Sequence, residues 1–441
     1  MYYPTLQADA QQQIKQIGEA DLVIGVPSHQ NPHVAANVAK TALAGVRFHY
    51  PRLRTVLINV DAGKNPQSQQ AVLAQVLPNG HNRRVVCGRY HGPLGPGSAA
   101  AALLDAALAL DAKAVIVLDS HVNSISPDWI AGLAHLVLEN KADLVFPRYR
   151  QWLLPEAALN DLIVYPLFRA LWGKCARQPM ASDFAISPQL ATAVLDEDIW
   201  GTTAATFGLM PWLATYATVN DWRVAQTALS EKQLPDDDYF SAGTAAQPGA
   251  RFRRQFHDIL SQMFGLMARY CHTWQNVNQF FAWPTLTRFA AATPPTVAPV
   301  VDVTPLLDEL ALGWIQYRRL WLNMLQPDNL AQLEALAALS PDYFYFPADL
   351  WARIVFDFAV SFNFAEFDPA QIVEAMLPLY YGRLAAFWQE VAGLAPVGRE
   401  GTVAAQAVEF EETRPYLKQQ WQANSPRPYL PGINNRSFKV E

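Results

Sequence analysis

Two hydrophobic patterns alternate along the first part of the chain. Continuous apolar runs, "DLVIGVP" (21–27), "RTVLINV" (54–60), "RRVVCG" (83–88), "KAVIVLD" (113–119) and "ADLVFP", read as strands buried on both faces. Between them "HVAANVAKTALAGV", "QSQQAVLAQVL", "SAAAALLDAALAL" and "PDWIAGLAHLVLE" carry apolar residues at helical spacing. The alternation predicts an α/β fold, a Rossmann-like, mostly parallel sheet flanked by helices. Ligands of such sheets bind beyond the carboxyl ends of the strands. Those ends hold "PSHQN", "VDAGKN", "YHGPLGPGS" and "DSH".

The second half changes period. "LLDELALGWIQYRRLWLNML", "PADLWARIVFDFAVSF", "DPAQIVEAMLPLYYGRLAAFWQEV" and "TVAAQAVEFEETRPYLKQQW" all carry helix-spaced apolar residues. Trp314, Trp321, Trp351, Phe356 and Trp388 are expected to be largely buried there, and "YFYF" (343–346) to serve core and interface. The expected organisation is an N-terminal helix (1–19), an α/β domain (20–290), a Pro-rich ordered linker (291–305), an all-helical domain (306–423) and an extended tail (424–441).

Composition narrows the class. Of 441 residues 51% are hydrophobic and 16% charged, and the formal net charge is −6 with no long basic run, which argues against a nucleic-acid or anionic-membrane surface. Cys87, Cys175 and Cys271 stand in no metal-ligand spacing and fit a reducing compartment. The polar N-terminus lacks an apolar signal core, and no apolar run is long enough to span a bilayer. The expectation is a cytoplasmic protein.

The motifs at the strand ends resemble those of GT-A-fold glycosyltransferases of the mannosylglycerate synthase and glucosyl-3-phosphoglycerate synthase kind. "VIGVPSHQN" resembles the opening Pro-Ser-Tyr-Asn turn of these enzymes, and "NVDAGKNPQSQQAVL" their nucleoside-holding Asp-Gly-Gly-Ser-Thr-Asp segment. "YHGPLGPGSAA" resembles the Pro-Gly-Lys-Gly loop, and "DSHVNSISPDWI" the metal motif with its Pro-x-Trp-Ile helix. "ARQPMASDFAIS" resembles an acceptor-side Gln-Pro-x-Gly-Gly segment, and "FGLMPWLATYATVNDWRV" a Phe-Gly-Ile-Asp helix. The resemblance implies nucleotide-sugar contacts from Pro27, Asp61, Gly97, Ser98 and Asp119, and acceptor-side positions at Asp183 and Met210.

Five departures fall on those positions. His121 replaces the second acid of Asp-x-Asp and is a weak metal candidate, because imidazole brings no negative charge and is a poor ligand for Mg²⁺. Gln233 stands where a later metal-binding histidine is expected, and Ser98 where the phosphate-binding lysine is. Ala181-Ser182 replaces Gly-Gly, and Met210 replaces an aspartate. Asp119 alternatively caps a turn, His121 is alternatively an ordinary hydrogen-bonded histidine, and Asp183 a structural acid. The run Asp236-Asp237-Asp238 reads as solvated charge rather than a metal site.

Two readings follow. In the first the chain is a pseudoenzyme, a binding or assembly module that partners an active paralogue or self-associates as an oligomer. In the second it is an active retaining hexosyltransferase, moving a sugar from a nucleotide sugar to a small acidic or polyol acceptor. The second requires Mn²⁺ or Mg²⁺ as cofactor and Arg148, Lys174 or Lys232 in place of the missing lysine. The substitutions favour the first reading. They also lead to the expectation that His121 has not inherited the acid's role, and that no catalytic divalent ion binds at millimolar levels.

Overall fold

The computed structural model describes residues 3–29, 31–63, 67–76, 84–149, 155–233, 250–288 and 301–425. The Asp236–Asp238 run, most of the Pro-rich linker and nearly all of the extended tail lie outside these residues.

The five predicted strands and three further ones form one eight-stranded sheet. Its strands are β1 (Leu22–Ser28), β2 (Thr55–Asp61), β3 (Val85–Gly88), β4 (Ala114–Val117), β5 (Leu144–Tyr149), β6 (Phe184–Ile186), β7 (Val224–Leu229) and β8 (Thr285–Leu286). Across the sheet the order is β3-β2-β1-β4-β6-β5-β7-β8. Every neighbouring pair is parallel except β4–β6 and β6–β5, so β6 alone runs backwards. This reversed strand places the start of β6 beside the end of β4, with Val117 opposite Phe184.

Helices cover the sheet because the strands are apolar on both faces. Helix α1 (Ala8–Ile17) leads in, and a two-residue strand before it (Thr5–Leu6) pairs with Tyr90–His91, a ribbon the sequence did not announce. Helix α2 (Pro32–His49) opens on Pro32, α3 spans Gln67–Val76, and α4 (Pro96–Ala109) opens on Pro96, as helix starts favour. The alanine-rich face of α4 lies so close to β1 that a Cβ on Gly25 would come within 2.6 Å of Leu103. Helix α5 (Pro127–Leu138) packs between the sheet and α2.

The carboxyl half is helical, as expected. Its elements are α6 (Thr304–Met324), α7 (Pro327–Ala337), α8 (Ala348–Phe364), α9 (Pro369–Val391), α10 (Pro396–Glu412) and α11 (Arg414–Asn424). Trp321, Trp351 and Phe356 are buried, while Trp314 and Trp388 are half-buried. The "YFYF" stretch alternates: Phe344 and Phe346 are buried in the core, while Tyr343 and Tyr345 are exposed.

These helices do not form a core of their own. One continuous apolar cluster runs from Leu6 to Trp421 and includes sheet and helical residues alike. A π-helical turn at Asn160–Val164 shows how the halves join. A π turn leaves carbonyls without their usual helical donors. Here the Trp351 indole donates to the Leu162 carbonyl at 2.8 Å, and the Gln406 amide to the Asp161 carbonyl at 2.8 Å. Among the described residues no helix is long and apolar enough to cross a membrane.

Candidate functional site

Four neighbouring strands deliver their ends to one point. Asp119 lies two residues past β4, Asp183 immediately precedes β6, Tyr149 ends β5, and Lys232 lies three residues past β7. Sequence separation is large, but the strand order β4-β6-β5-β7 makes these ends adjacent.

Lys232 is at the centre. Its ammonium lies 3.0 Å from Asp119 Oδ2, 2.9 Å from Asp183 Oδ2 and 2.8 Å from Ser182 Oγ. It also sits 5.3 Å from the centre of the Tyr149 ring, a cation–π contact. The Lys232 side chain is 0% exposed. The Tyr149 hydroxyl donates to Asp183 Oδ2, and the Asp119 backbone N–H donates to Asp183 Oδ1 at 2.8 Å.

Asp119 is fully engaged. Oδ2 accepts from Lys232 and from the Ser182 hydroxyl at 2.9 Å; Oδ1 accepts from the His121 backbone N–H at 3.0 Å and faces His121 Nδ1 at 3.2 Å. Burial pushes the Asp119 pKa up, but the Lys232 charge and the His121 contacts overcome it and hold the carboxyl well below the usual carboxylate range. Asp119 and His121 meet through a turn past the end of β4, not by sharing a strand face, so alternation along a strand does not describe them.

The other expected residues distribute as follows. Pro27 is half-buried near the end of β1 and Asp61 ends β2, paired with Ser28 of β1. Asp61 and Asp119 therefore leave the same sheet edge on either side of β1. Asn31, past β1, ties that edge together by donating to the Ser120 carbonyl at 2.7 Å. Asp61 is 1% exposed; its Oδ1 accepts from the Gly63 N–H at 2.8 Å, while Oδ2 has no hydrogen-bond partner among the described residues. Burial raises its pKa, against the Gly63 N–H, nearby His29 and Arg89, and the Ser68 hydroxyl.

Gly97 has a packing reason for being glycine: a Cβ there would lie 1.9 Å from the Ala204 carbonyl oxygen. Its own N–H donates to the Thr206 carbonyl at 3.1 Å. Ser98 is buried inside α4 with a hydroxyl that has no partner among the described residues, and Met210 is buried in the helix Leu209–Val219. Neither joins the Lys232 cluster by any hydrogen bond or ion pair.

Of the three cations considered for the missing lysine, Arg148 is exposed on β5 and Lys174 lies over the Phe281 ring at 5.4 Å. Lys232 alone among the three enters the cluster, and it contacts the acids rather than an open diphosphate position. Gln233 is exposed, and its amide donates to Glu231 at 2.7 Å. The sequence reading weighed position 233 for a metal ligand; the residue that matters is its neighbour. Tyr149 and Ser182 were not picked out as partners of the acids, since nothing local in the sequence marks them as such.

The donor set does not fit a divalent metal. Hard cations take several oxygen ligands. Here the two carboxylates already share an ammonium, and His121 turns its Nδ1 to Asp119. Among the described residues no group of three or more His, Cys, Asp or Glu could hold a metal ion.

The mixed sheet, its covering helices and the helical extension are the arrangement that the motifs imply. The chain folds as a mixed, mostly parallel sheet covered by helices and followed by a helical extension. No family model matches the sequence, and no curated protein matches it. Among solved structures, glucosyl-3-phosphoglycerate synthase from Mycobacterium tuberculosis with Mn²⁺, UDP and glucosyl-3-phosphoglycerate is similar at 18% identity, covering 59% of this chain and 83% of that one, with a TM-score of 0.42. The same enzyme with Mg²⁺ and UDP is similar at 15% identity over the same shares, 59% and 83%, with a TM-score of 0.41. Its complex with Mn²⁺, UDP-glucose and phosphoglyceric acid gives 18% identity, 59% and 83% coverage and a TM-score of 0.41.

Proposed function

We propose that this chain is a non-catalytic binding or assembly module built on the GT-A fold, a pseudo-glycosyltransferase rather than a metal-dependent hexosyltransferase. The observation that carries this reading is the internal use of Asp119, both of whose oxygens accept from the protein itself. An Asp-x-Asp acid serves transfer by holding a metal that offsets charge on the departing diphosphate. Asp119 is spent on Lys232, Ser182 and His121, and Lys232 is enclosed rather than turned outward.

The nucleoside side is less altered. The unpartnered Asp61 Oδ2 is a buried polar atom whose desolvation costs about 1–3 kcal/mol, a cost that a ligand N–H or O–H removes. Asp61 is thus the position where a nucleotide or nucleotide sugar is expected to bind, with Pro27 beside it.

Calorimetric titration with UDP-glucose, GDP-mannose, UDP and GDP, with and without Mn²⁺, tests the reading. The expected result is at most metal-independent nucleotide binding and no sugar turnover. Mn²⁺-dependent binding lost in His121→Ala together with turnover restores the enzyme reading.

A further inference from the structure

We infer that Lys232 is a tethered cation occupying the place of a metal ion, and that its ammonium, not the loss of acids, is what excludes divalent metals here. The inference rests on the reading of the Asp119 cluster above and deepens it.

The acids that a cation needs are both present. Asp119 and Asp183 converge because β6 runs antiparallel to β4, and each turns an Oδ2 toward the same point. Two carboxylates held so close without a counter-charge would force one to stay protonated. Lys232 resolves this with oxygens at 3.0, 2.9 and 2.8 Å from Asp119, Asp183 and Ser182. Among the described residues three oxygen acceptors face the ammonium, as many as it has donor hydrogens. The Tyr149 ring lies against the same charge at 5.3 Å.

Ser182 belongs to this arrangement. At a position where the resembling enzymes have glycine, its hydroxyl both donates to Asp119 Oδ2 at 2.9 Å and faces Lys232 at 2.8 Å. A glycine there would remove one of the three ammonium acceptors. Ser182 and Lys232 therefore act together: a fixed monovalent cation with its own acceptor stands where a removable divalent one would sit.

A metal and Lys232 cannot share the point. A divalent ion about 2.0–2.6 Å from those oxygens would coincide with the Lys232 ammonium. Removing the side chain to its Cβ should expose a cation-sized, doubly acidic cavity that n-propylammonium, the group deleted, can refill.

The test compares the full-length wild type with Lys232→Ala, without nucleotide. Mn²⁺ binding is read by electron paramagnetic resonance, and thermal midpoints are read with Mn²⁺ or n-propylammonium. The wild type should bind no Mn²⁺ at 1 mM, a level typical of weak metal sites. Lys232→Ala should gain at least about tenfold in Mn²⁺ affinity, and both cations should raise its midpoint but not that of the wild type. Lys232→Met, which keeps the stem volume, should not respond. Equal Mn²⁺ binding by wild type and Lys232→Ala overturns the inference, as does a folded Lys232→Ala that responds to neither cation.

Should Lys232→Ala not fold, Asp119→Asn is compared in the wild-type and Lys232→Met backgrounds by urea unfolding. It should destabilise the first and stabilise the second by at least about tenfold in the folding equilibrium; destabilisation of both overturns the inference. Metal-free sugar turnover by the wild type would refute the non-catalytic proposal while leaving the tethered cation standing.

Discussion

Replacing Arg177 by methionine removes one charge from the network that joins the two halves of the chain. Arg177 Nη1 lies 2.6 Å from Asp161 Oδ1, while Nε and Nη2 lie 3.0 and 2.9 Å from Glu400. The Arg177 and Asp161 side chains are 11% and 3% exposed, so the variant strands a buried carboxylate. Breaking such a pair costs about 3–5 kcal/mol. The Glu400 side chain is 45% exposed, and its pairing adds at most about 1 kcal/mol. Asp161 keeps the Asn160 amide at 3.0 Å and Arg399 at 3.4 Å, which puts the expected loss near the lower end, about 3 kcal/mol. With about 2.1 cal/mol/K of unfolding entropy per residue, 441 residues give roughly 0.9 kcal/mol/K. The thermal midpoint should therefore fall by about 3 °C. Urea and thermal unfolding, followed by circular dichroism and tryptophan fluorescence, measure the loss. A loss below about 1 kcal/mol refutes the reasoning, and two separate transitions in the wild type refute the shared core.

Gly97→Ala places a Cβ 1.9 Å from the Ala204 carbonyl oxygen, so backbone must move; a loss of about 1–3 kcal/mol is expected by urea unfolding, and a neutral substitution refutes the packing role. Asp357 accepts from Gln326 N–H, Asn329 and Tyr416, yet burial pushes its pKa up to about 6. A folded pKa above the unfolded one means this residue's cost is present at neutral pH and disappears as pH falls through about 6 toward the ordinary aspartate value of 3.8. The difference corresponds to on the order of 3 kcal/mol, and Asp357→Asn should flatten the stability profile between pH 7 and pH 4; an unchanged profile counts against it. Burial likewise raises the Asp61 pKa, so Asp61→Asn should keep or increase stability at pH 7 while weakening uridine and guanosine nucleotide binding, read by thermal melts and calorimetry. Undiminished binding removes Asp61 from the nucleoside site.

The legible parts of the molecule were those set by local pattern. Strands β1 to β5 are continuous apolar runs, and the carboxyl helices repeat at helical spacing, so both were readable. Strand β6 is only Phe184–Ile186, too short for a periodic signal, and its reversed direction has no local mark. The site depends on that reversal, because it brings Asp183 to Asp119. The role of Lys232 depends further on β7 lying beside β5, a pairing between strands about 80 residues apart in the chain. The sequence nominated Lys232 for a phosphate, guided by resemblance; its contacts are with acids. The change in period marked the helical half, but not the apolar cluster it shares with the sheet. The partners of the π turn, Trp351 and Gln406, lie 189 and 245 residues downstream of the carbonyls they satisfy, beyond any local pattern.

Charge supports the non-catalytic proposal. With His121 neutral, Asp119, Asp183 and Lys232 sum to −1 at the strand ends. Two carboxylates with a divalent ion sum to zero, and the ion presents open coordination positions to an incoming diphosphate. Lys232 presents none, because its three donor positions are matched by Asp119, Asp183 and Ser182 and its side chain has no exposed surface. A diphosphate approaching this point meets net negative charge and no free donor from Lys232. Stabilising developing negative charge is the largest single contribution to transfer chemistry of this type, so the cluster withholds what catalysis most needs. A nucleoside contact at Asp61 makes no such demand, since a hydrogen bond to a base or ribose requires no counter-ion. The charge at these strand ends therefore supports the proposal of binding without transfer.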